Sequence, residues 1–131
     1  MNETNMTFKL ARGQVGMLGT AFLLGMAVNL IGLPDETTGG AKTATSILLG
    51  LHGLVGLGLL VGAIRVWQQT MKANSAVAML GRMGGISIII TLIAGVLTLS
   101  TKSNWWSYLM ALGFIAAFFI YGRLLLRSAV H

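Results

Sequence analysis

His52 is the residue of this 131-residue chain that best suits chemistry inside a membrane. It lies deep within an apolar stretch, where an ionisable side chain is costly and marks a functional site more often than elsewhere. An imidazole at this depth can bind a haem iron or a quinone, or relay a proton. The simpler interpretation, which we favour, is an interhelical hydrogen bond worth about 0.6 kcal/mol. Asn29 is the expected partner, because the stretches that carry the two residues form an antiparallel hairpin.

Cofactor binding is limited by the small number of potential ligands. A haem b site normally takes a histidine from each of two helices, and the second histidine, His131, lies beyond the last apolar stretch. A methionine or a second copy of the chain would have to supply the other ligand. The chain has no cysteine, which excludes thiolate metal sites, cysteine nucleophiles and disulfides. We therefore expect no metal and no cofactor, with haem b or quinone at His52 as the alternative.

The acidic residues lie outside the apolar stretches. Glu3, Asp35 and Glu36 fall in a terminal segment or a loop. Proton-coupled carriers place a carboxylate inside a span, because a buried ionisable group marks the path of the proton. A carboxylate-driven antiporter is therefore disfavoured. The apolar stretches also contain no recognisable catalytic set, so we expect the protein not to be an enzyme.

Small residues recur at four-residue spacing inside the apolar stretches, and glycine makes up 18 of the 131 residues. The pairs with this spacing are Gly58 with Gly62, Gly81 with Gly85, and Ala21 with Gly25. Small side chains let helices approach closely, so that van der Waals contact replaces the hydrophobic drive that lipid does not provide. We favour packing within one bundle. The alternative is a docking face for another subunit.

The composition identifies the elements that position these residues. The chain is 55% hydrophobic and 9% charged, too few charges to cover a soluble globular domain. Four apolar stretches are long enough to cross a membrane, at about 14–33, 44–64, 79–99 and 105–122. Pro34 and the polar residues after it predict a loop behind the first stretch. We expect an all-α polytopic membrane protein, with residues 1–131 forming one up-down-up-down bundle of four transmembrane helices.

Lysine and arginine are sorted between the two sides of the predicted spans. Seven fall on one side, Lys9, Arg12, Arg65, Lys72, Arg82, Arg123 and Arg127, and two on the other, Lys42 and Lys102. The positive-inside rule places both termini in the cytoplasm. The bias argues against an antiparallel homodimer, and its division among membrane borders argues against nucleic-acid binding. Four of the seven are candidates for binding lipid headgroups, although we favour simple topology-setting charge: Arg12, Arg65, Arg82 and Arg123.

The function that these observations favour is a non-enzymatic accessory or structural subunit that packs within a larger membrane assembly. Its expected location is the cytoplasmic membrane of a bacterium or archaeon, and its expected partners are lipid, other membrane subunits or parallel copies of itself. The first alternative is a small homo-oligomeric channel or carrier with a polar outer vestibule lined by Asn29, His52, Thr91 and Thr98. The second is a membrane redox protein that binds haem or quinone through His52.

Overall fold

The computed structural model of the protein describes residues 3–129, and within them it contains four α-helices. Their bounds are Glu3–Ile31 for α1, Gly39–Thr70 for α2, Ser75–Thr101 for α3 and Asn104–Ala129 for α4. All four are long and apolar enough to cross a membrane. The predictions of an all-helical fold and of four helices long and apolar enough to span a membrane are thereby confirmed. The helices extend beyond most of the predicted spans, because polar residues at their ends continue the helix outside the apolar part.

The loop between α1 and α2 forms where Pro34 predicts it. Gly32 leaves the helix at a φ of 102°, which an L side chain rarely adopts. The Glu36 carboxylate then accepts a hydrogen bond from the Leu33 backbone N–H at 3.1 Å, and the Glu36 N–H donates to the Leu33 carbonyl at 2.9 Å. These two bonds pair both backbone polar groups of Leu33, just beyond the end of α1.

The other two connections are short and defined by local capping. The side chain of Asn74 caps α3 by accepting a hydrogen bond from the Val77 N–H at 3.0 Å. Lys102 ends α3 in the left-handed conformation, with a φ of 53°. Its ammonium group lies 3.2 Å from the Asp35 carboxylate, so an exposed ion pair joins the first and third loops. These two loops therefore lie at the same end of the molecule, as antiparallel hairpins require.

The helices are arranged as a four-membered ring. α1 packs against α2 and α4, and α3 packs against the same two helices. No pair of Cα atoms in the described chain comes within 8 Å across either diagonal, between α1 and α3 or between α2 and α4. Each helix is thus antiparallel to both of its neighbours, which is the geometry of an up-down-up-down bundle.

The buried core lies along the axis of the bundle. Its apolar residues are Ala11, Leu18, Ala21, Leu59, Ala63, Val66, Ile88, Ala117, Tyr121 and Leu124. Large apolar side chains cover the outside, including Leu30, which is 79% exposed, and Phe119, which is 69% exposed. An apolar exterior of this extent needs lipid or protein around it, so contact with a bilayer is the expected environment.

Basic side chains gather at one end of the bundle, which we call the basic end. Here α1 begins, α4 ends, and α2 is joined to α3. All seven lysines and arginines that the sequence assigns to the inner side are exposed. The end with the Asp35–Lys102 pair is called the opposite end. Cytoplasmic placement of the basic end remains a prediction from the positive-inside rule.

Single-cysteine labelling tests this orientation, because the natural chain contains no cysteine. Gly40→Cys lies at the opposite end and Ala73→Cys at the basic end, and both positions are exposed. In intact cells a membrane-impermeant maleimide is expected to label Gly40→Cys only, with Ala73→Cys reacting after the membrane is opened. Labelling of Ala73→Cys alone in intact cells would reverse the assigned topology.

Candidate functional site

Polar side chains inside the bundle rest against glycines of neighbouring helices, and we call these contacts the polar–glycine pairs. They are Gln14 with Gly62, His52 with Gly25, Thr70 with Gly81, Thr91 with Gly113, and Tyr121 with Gly84. A Cβ atom at any of these glycines would lie within 3.2 Å of the polar side chain. The absence of a side chain on one helix therefore makes room for a polar group on the next.

The remaining glycines of the four-residue pairs also face neighbours within the chain. The end of the Met17 side chain of α1 packs against Gly58, and the indole ring of Trp67 of α2 packs against Gly85. A Cβ on Gly85 would lie 3.0 Å from the Trp67 Cε3 atom. In this structure the small-residue pairs therefore serve contacts between consecutive helices of one bundle.

His52 is held by the backbone of α1. Its Nδ1 atom lies 2.9 Å from the carbonyl oxygen of Ala21. A carbonyl only accepts, so in the neutral ring Nδ1 carries the proton and Nε2 is left as an acceptor. Gly25 follows Ala21 by one helical turn, and a Cβ there would lie 3.2 Å from the His52 Cε1 atom. The missing side chain at Gly25 thus gives the imidazole access to the carbonyl.

The Nε2 atom of His52 has no hydrogen-bond partner within residues 3–129. The buried side-chain N and O atoms without a partner in that part of the chain are Gln14 Oε1 and Tyr121 OH. Because Nε2 is not among them, it reaches the molecular surface, consistent with the half-buried state of His52. His52 therefore combines a fixed ring orientation with a free acceptor nitrogen.

The residues expected around a vestibule make no hydrogen bonds with one another in the described chain. Asn29 is exposed, and its side chain makes no hydrogen bond with His52. The hydroxyl groups of Thr91 and Thr98 donate to carbonyls of their own helix, those of Ser87 at 2.7 Å and of Ala94 at 2.8 Å. The histidine thus uses a backbone partner instead of Asn29, and the threonines satisfy themselves locally.

The sequence reasoning missed two buried residues whose polar atoms lack a partner among the described residues. Gln14 is 2% exposed and donates through Nε2 to the Leu59 carbonyl at 3.3 Å, and its Oε1 has no partner. Tyr121 is fully buried, and its hydroxyl has no partner either. Their spacing did carry a signal. Gln14 shares a helix face with Leu18 and Ala21, and both of those residues belong to the core.

The arginines proposed as lipid-headgroup ligands are exposed near the basic end. Arg82 Nη2 lies 3.8 Å from the Met71 sulfur, and this is its one recorded side-chain contact in the described chain. Arg12, Arg65 and Arg123 are likewise exposed and form no ion pair with a described carboxylate. Their charges are available to anionic groups at a membrane surface, and lipid-headgroup binding stays a prediction.

The described residues contain no group of three or more His, Cys, Asp or Glu side chains that could hold a metal ion. Comparison with known proteins gives no family to this chain: no protein-family model, curated protein or solved structure matches it. Its chemistry must therefore be judged from its own residues. Among these, His52 offers the acceptor nitrogen and Gln14 and Tyr121 offer unpaired polar atoms.

Removing the Tyr121 hydroxyl tests whether it is unpaired. Tyr121→Phe is expected to leave the free energy of unfolding unchanged or to raise it by up to about 1 kcal/mol, because a buried polar group without a partner is destabilising. The measurement is reversible unfolding in detergent, with Tyr108→Phe at a 66% exposed position as the control. A loss of more than about 1 kcal/mol would show that the hydroxyl has a partner, such as a bound water.

Proposed function

We propose that this protein is a non-enzymatic accessory subunit that packs within a larger membrane assembly. The observation that carries the proposal is a difference between two sets of glycines. Beside the glycines that face the interior, side chains of neighbouring helices occupy the space. Others face outward, and a Cβ atom added to them would meet nothing within 4 Å. Among the described residues, no side chain of a neighbouring helix therefore uses the space beside these outward glycines.

Two of the outward glycines of α2, Gly50 and Gly53, belong to a continuous face of small residues, which we call the small face. It consists of Thr43, Ser46, Gly50 and Gly53, all of them exposed. The spacing of three, four and three residues keeps them on one side of the helix. Apolar side chains gain little by leaving lipid, so association between spanning helices depends on close backbone approach at such surfaces. A partner helix is the occupant that the small face fits.

A second outward surface supports the same function. Gly13 and Gly16 lie on exposed positions of α1, nearer the basic end, with nothing within 4 Å of a Cβ at either one. Two separate surfaces suit a subunit that contacts other chains on more than one side. The alternative of a homo-oligomeric channel is less well supported, because the Thr91 and Thr98 hydroxyls are already bonded to their own helix.

Replacing a glycine of the small face with a larger residue is expected to release the protein from its assembly. Wild-type protein, expressed at its native level and extracted in mild detergent, should migrate in a complex that contains other membrane proteins. Gly50→Leu and Gly53→Leu should shift it to the size of the free subunit, because a leucine side chain keeps the partner backbone at a distance. Native electrophoresis and mass spectrometry of the complex give the readout.

Ala116→Leu is the matched control, since it enlarges another small exposed residue on a different helix, α4. It should leave the complex intact. A wild-type protein that runs as a monomer, or as an oligomer of this chain alone, would contradict the accessory role. Loss of the complex in all three variants would contradict the assignment of the small face.

A further inference from the structure

Two exposed basic residues on neighbouring helices lie at the same level of the bundle. The Gln14 side chain of α1 packs against α2 at Gly62, which fixes the register of these two helices. From this contact Lys9 lies five residues toward the basic end along α1, about 7.5 Å. Arg65 lies three residues toward the same end along α2, about 4.5 Å. The two positions therefore differ in depth by about 3 Å, which is less than the length of either side chain.

Both residues border the groove between α1 and α2. On α2, Gly58 and Gly62 face α1, and Arg65 continues this row at a spacing of four and three residues. On α1, the Met17 side chain packs against Gly58. Lys9 precedes Met17 by eight residues, or about two turns, so it lies on the same side of α1. One cation therefore stands on each edge of the groove.

Neither positive charge is neutralised within the described part of the chain. Lys9 and Arg65 are both exposed. The ion pair found among residues 3–129 joins Asp35 to Lys102 at the opposite end of the bundle. Two cations at the end of an apolar bundle attract anionic groups from their surroundings, and the phosphates of a membrane surface are such groups.

An apolar row on α2 leads away from Arg65 toward the middle of the bundle. Val61 precedes Arg65 by four residues, and Leu54 precedes Val61 by seven, so all three lie on one side of the helix. Val61 is 52% exposed and Leu54 is 65% exposed, which leaves the row open to an acyl chain. A pair of cations at one end and an apolar row beside them match the headgroup and the chain of a phospholipid.

We propose that the groove between α1 and α2 binds one anionic phospholipid at the basic end. Its phosphate lies between Lys9 and Arg65, and one acyl chain follows Val61 and Leu54 toward the middle of the bundle. Basic pockets between spanning helices bind anionic headgroups in this way. The site does not depend on the accessory role of the protein, because it uses the edge of α2 next to α1 and not the small face.

The two cations contribute differently to recognition of the headgroup. The planar guanidinium of Arg65 can donate two parallel hydrogen bonds to phosphate oxygens, whereas the Lys9 ammonium acts as a compact point charge. A zwitterionic phospholipid carries the same phosphate and the same chains, but its own positive group cancels the net charge that attracts the two side chains. The groove should therefore prefer a headgroup with a net negative charge.

The test uses the full chain purified in detergent, freed of lipid, and examined by native mass spectrometry with added lipid. The probes are phosphatidylglycerol and phosphatidylcholine with identical acyl chains. Wild-type protein is expected to bind one phosphatidylglycerol per chain, with an affinity about tenfold higher than for phosphatidylcholine. Lys9→Gln and Arg65→Gln should each lower the affinity for phosphatidylglycerol about fivefold. Excess inorganic phosphate should not displace the lipid, because it has no acyl chain.

Arg123→Gln is the matched control, because it removes an exposed charge at the same end from α4, which does not contact α2 in the described chain. It should leave the affinity unchanged, and Arg65→Lys, which keeps the charge, should lose less affinity than Arg65→Gln. Circular dichroism checks that every variant keeps its helix content. Equal affinity of the wild type for the two lipids, displacement of the lipid by inorganic phosphate, or equal losses in Arg123→Gln and Arg65→Gln would overturn the proposal.

Discussion

The structure depends on one constraint, that polar groups inside a bilayer need a partner from the protein. Backbone carbonyls of the neighbouring helix are available acceptors, but large side chains between two helices keep their backbones apart. Because glycine has no side chain, a polar group of the next helix can reach the carbonyl beside it. Gly25 opens the Ala21 carbonyl to His52, and Gly62 opens the Leu59 carbonyl to Gln14. Both of these pairs join α1 to α2, so the group that needs a partner also fixes how closely these two helices approach.

This constraint divides the glycines into two functional sets. Interior glycines define how closely the helices of the bundle pack. At outward glycines such as Gly50 and Gly53 an added Cβ would meet no described atom within 4 Å, which suits the approach of a second helix. The proposed accessory role uses the second set for docking and leaves the first set to the fold.

Much of the fold was predictable from the sequence, because spans and loops follow from local composition. Pro34 predicts the first loop, and the division of lysine and arginine between the two sides predicts the up-down order of the helices. Neither prediction needs tertiary information. Partners across helices were not predictable in the same way. Spacing alone indicated that Gly81 and Gly85 pack closely, but not that they face Thr70 and Trp67. For the same reason His52 was paired with a side chain, whereas the structure gives it a carbonyl.

The most direct test of this account is a double-mutant cycle on Thr70 and Gly81, with unfolding measured in detergent. A Cβ on Gly81 would lie 2.8 Å from the Thr70 Cβ, and Thr70 is fully buried. Gly81→Ala alone is expected to lose about 1–3 kcal/mol. In a Thr70→Gly background, which removes the Cβ as well as the hydroxyl, the loss should largely disappear, as for Gly122→Ala, which meets nothing within 4 Å. Equal losses from Gly81→Ala in both backgrounds would contradict the polar–glycine pairs as the basis of the bundle.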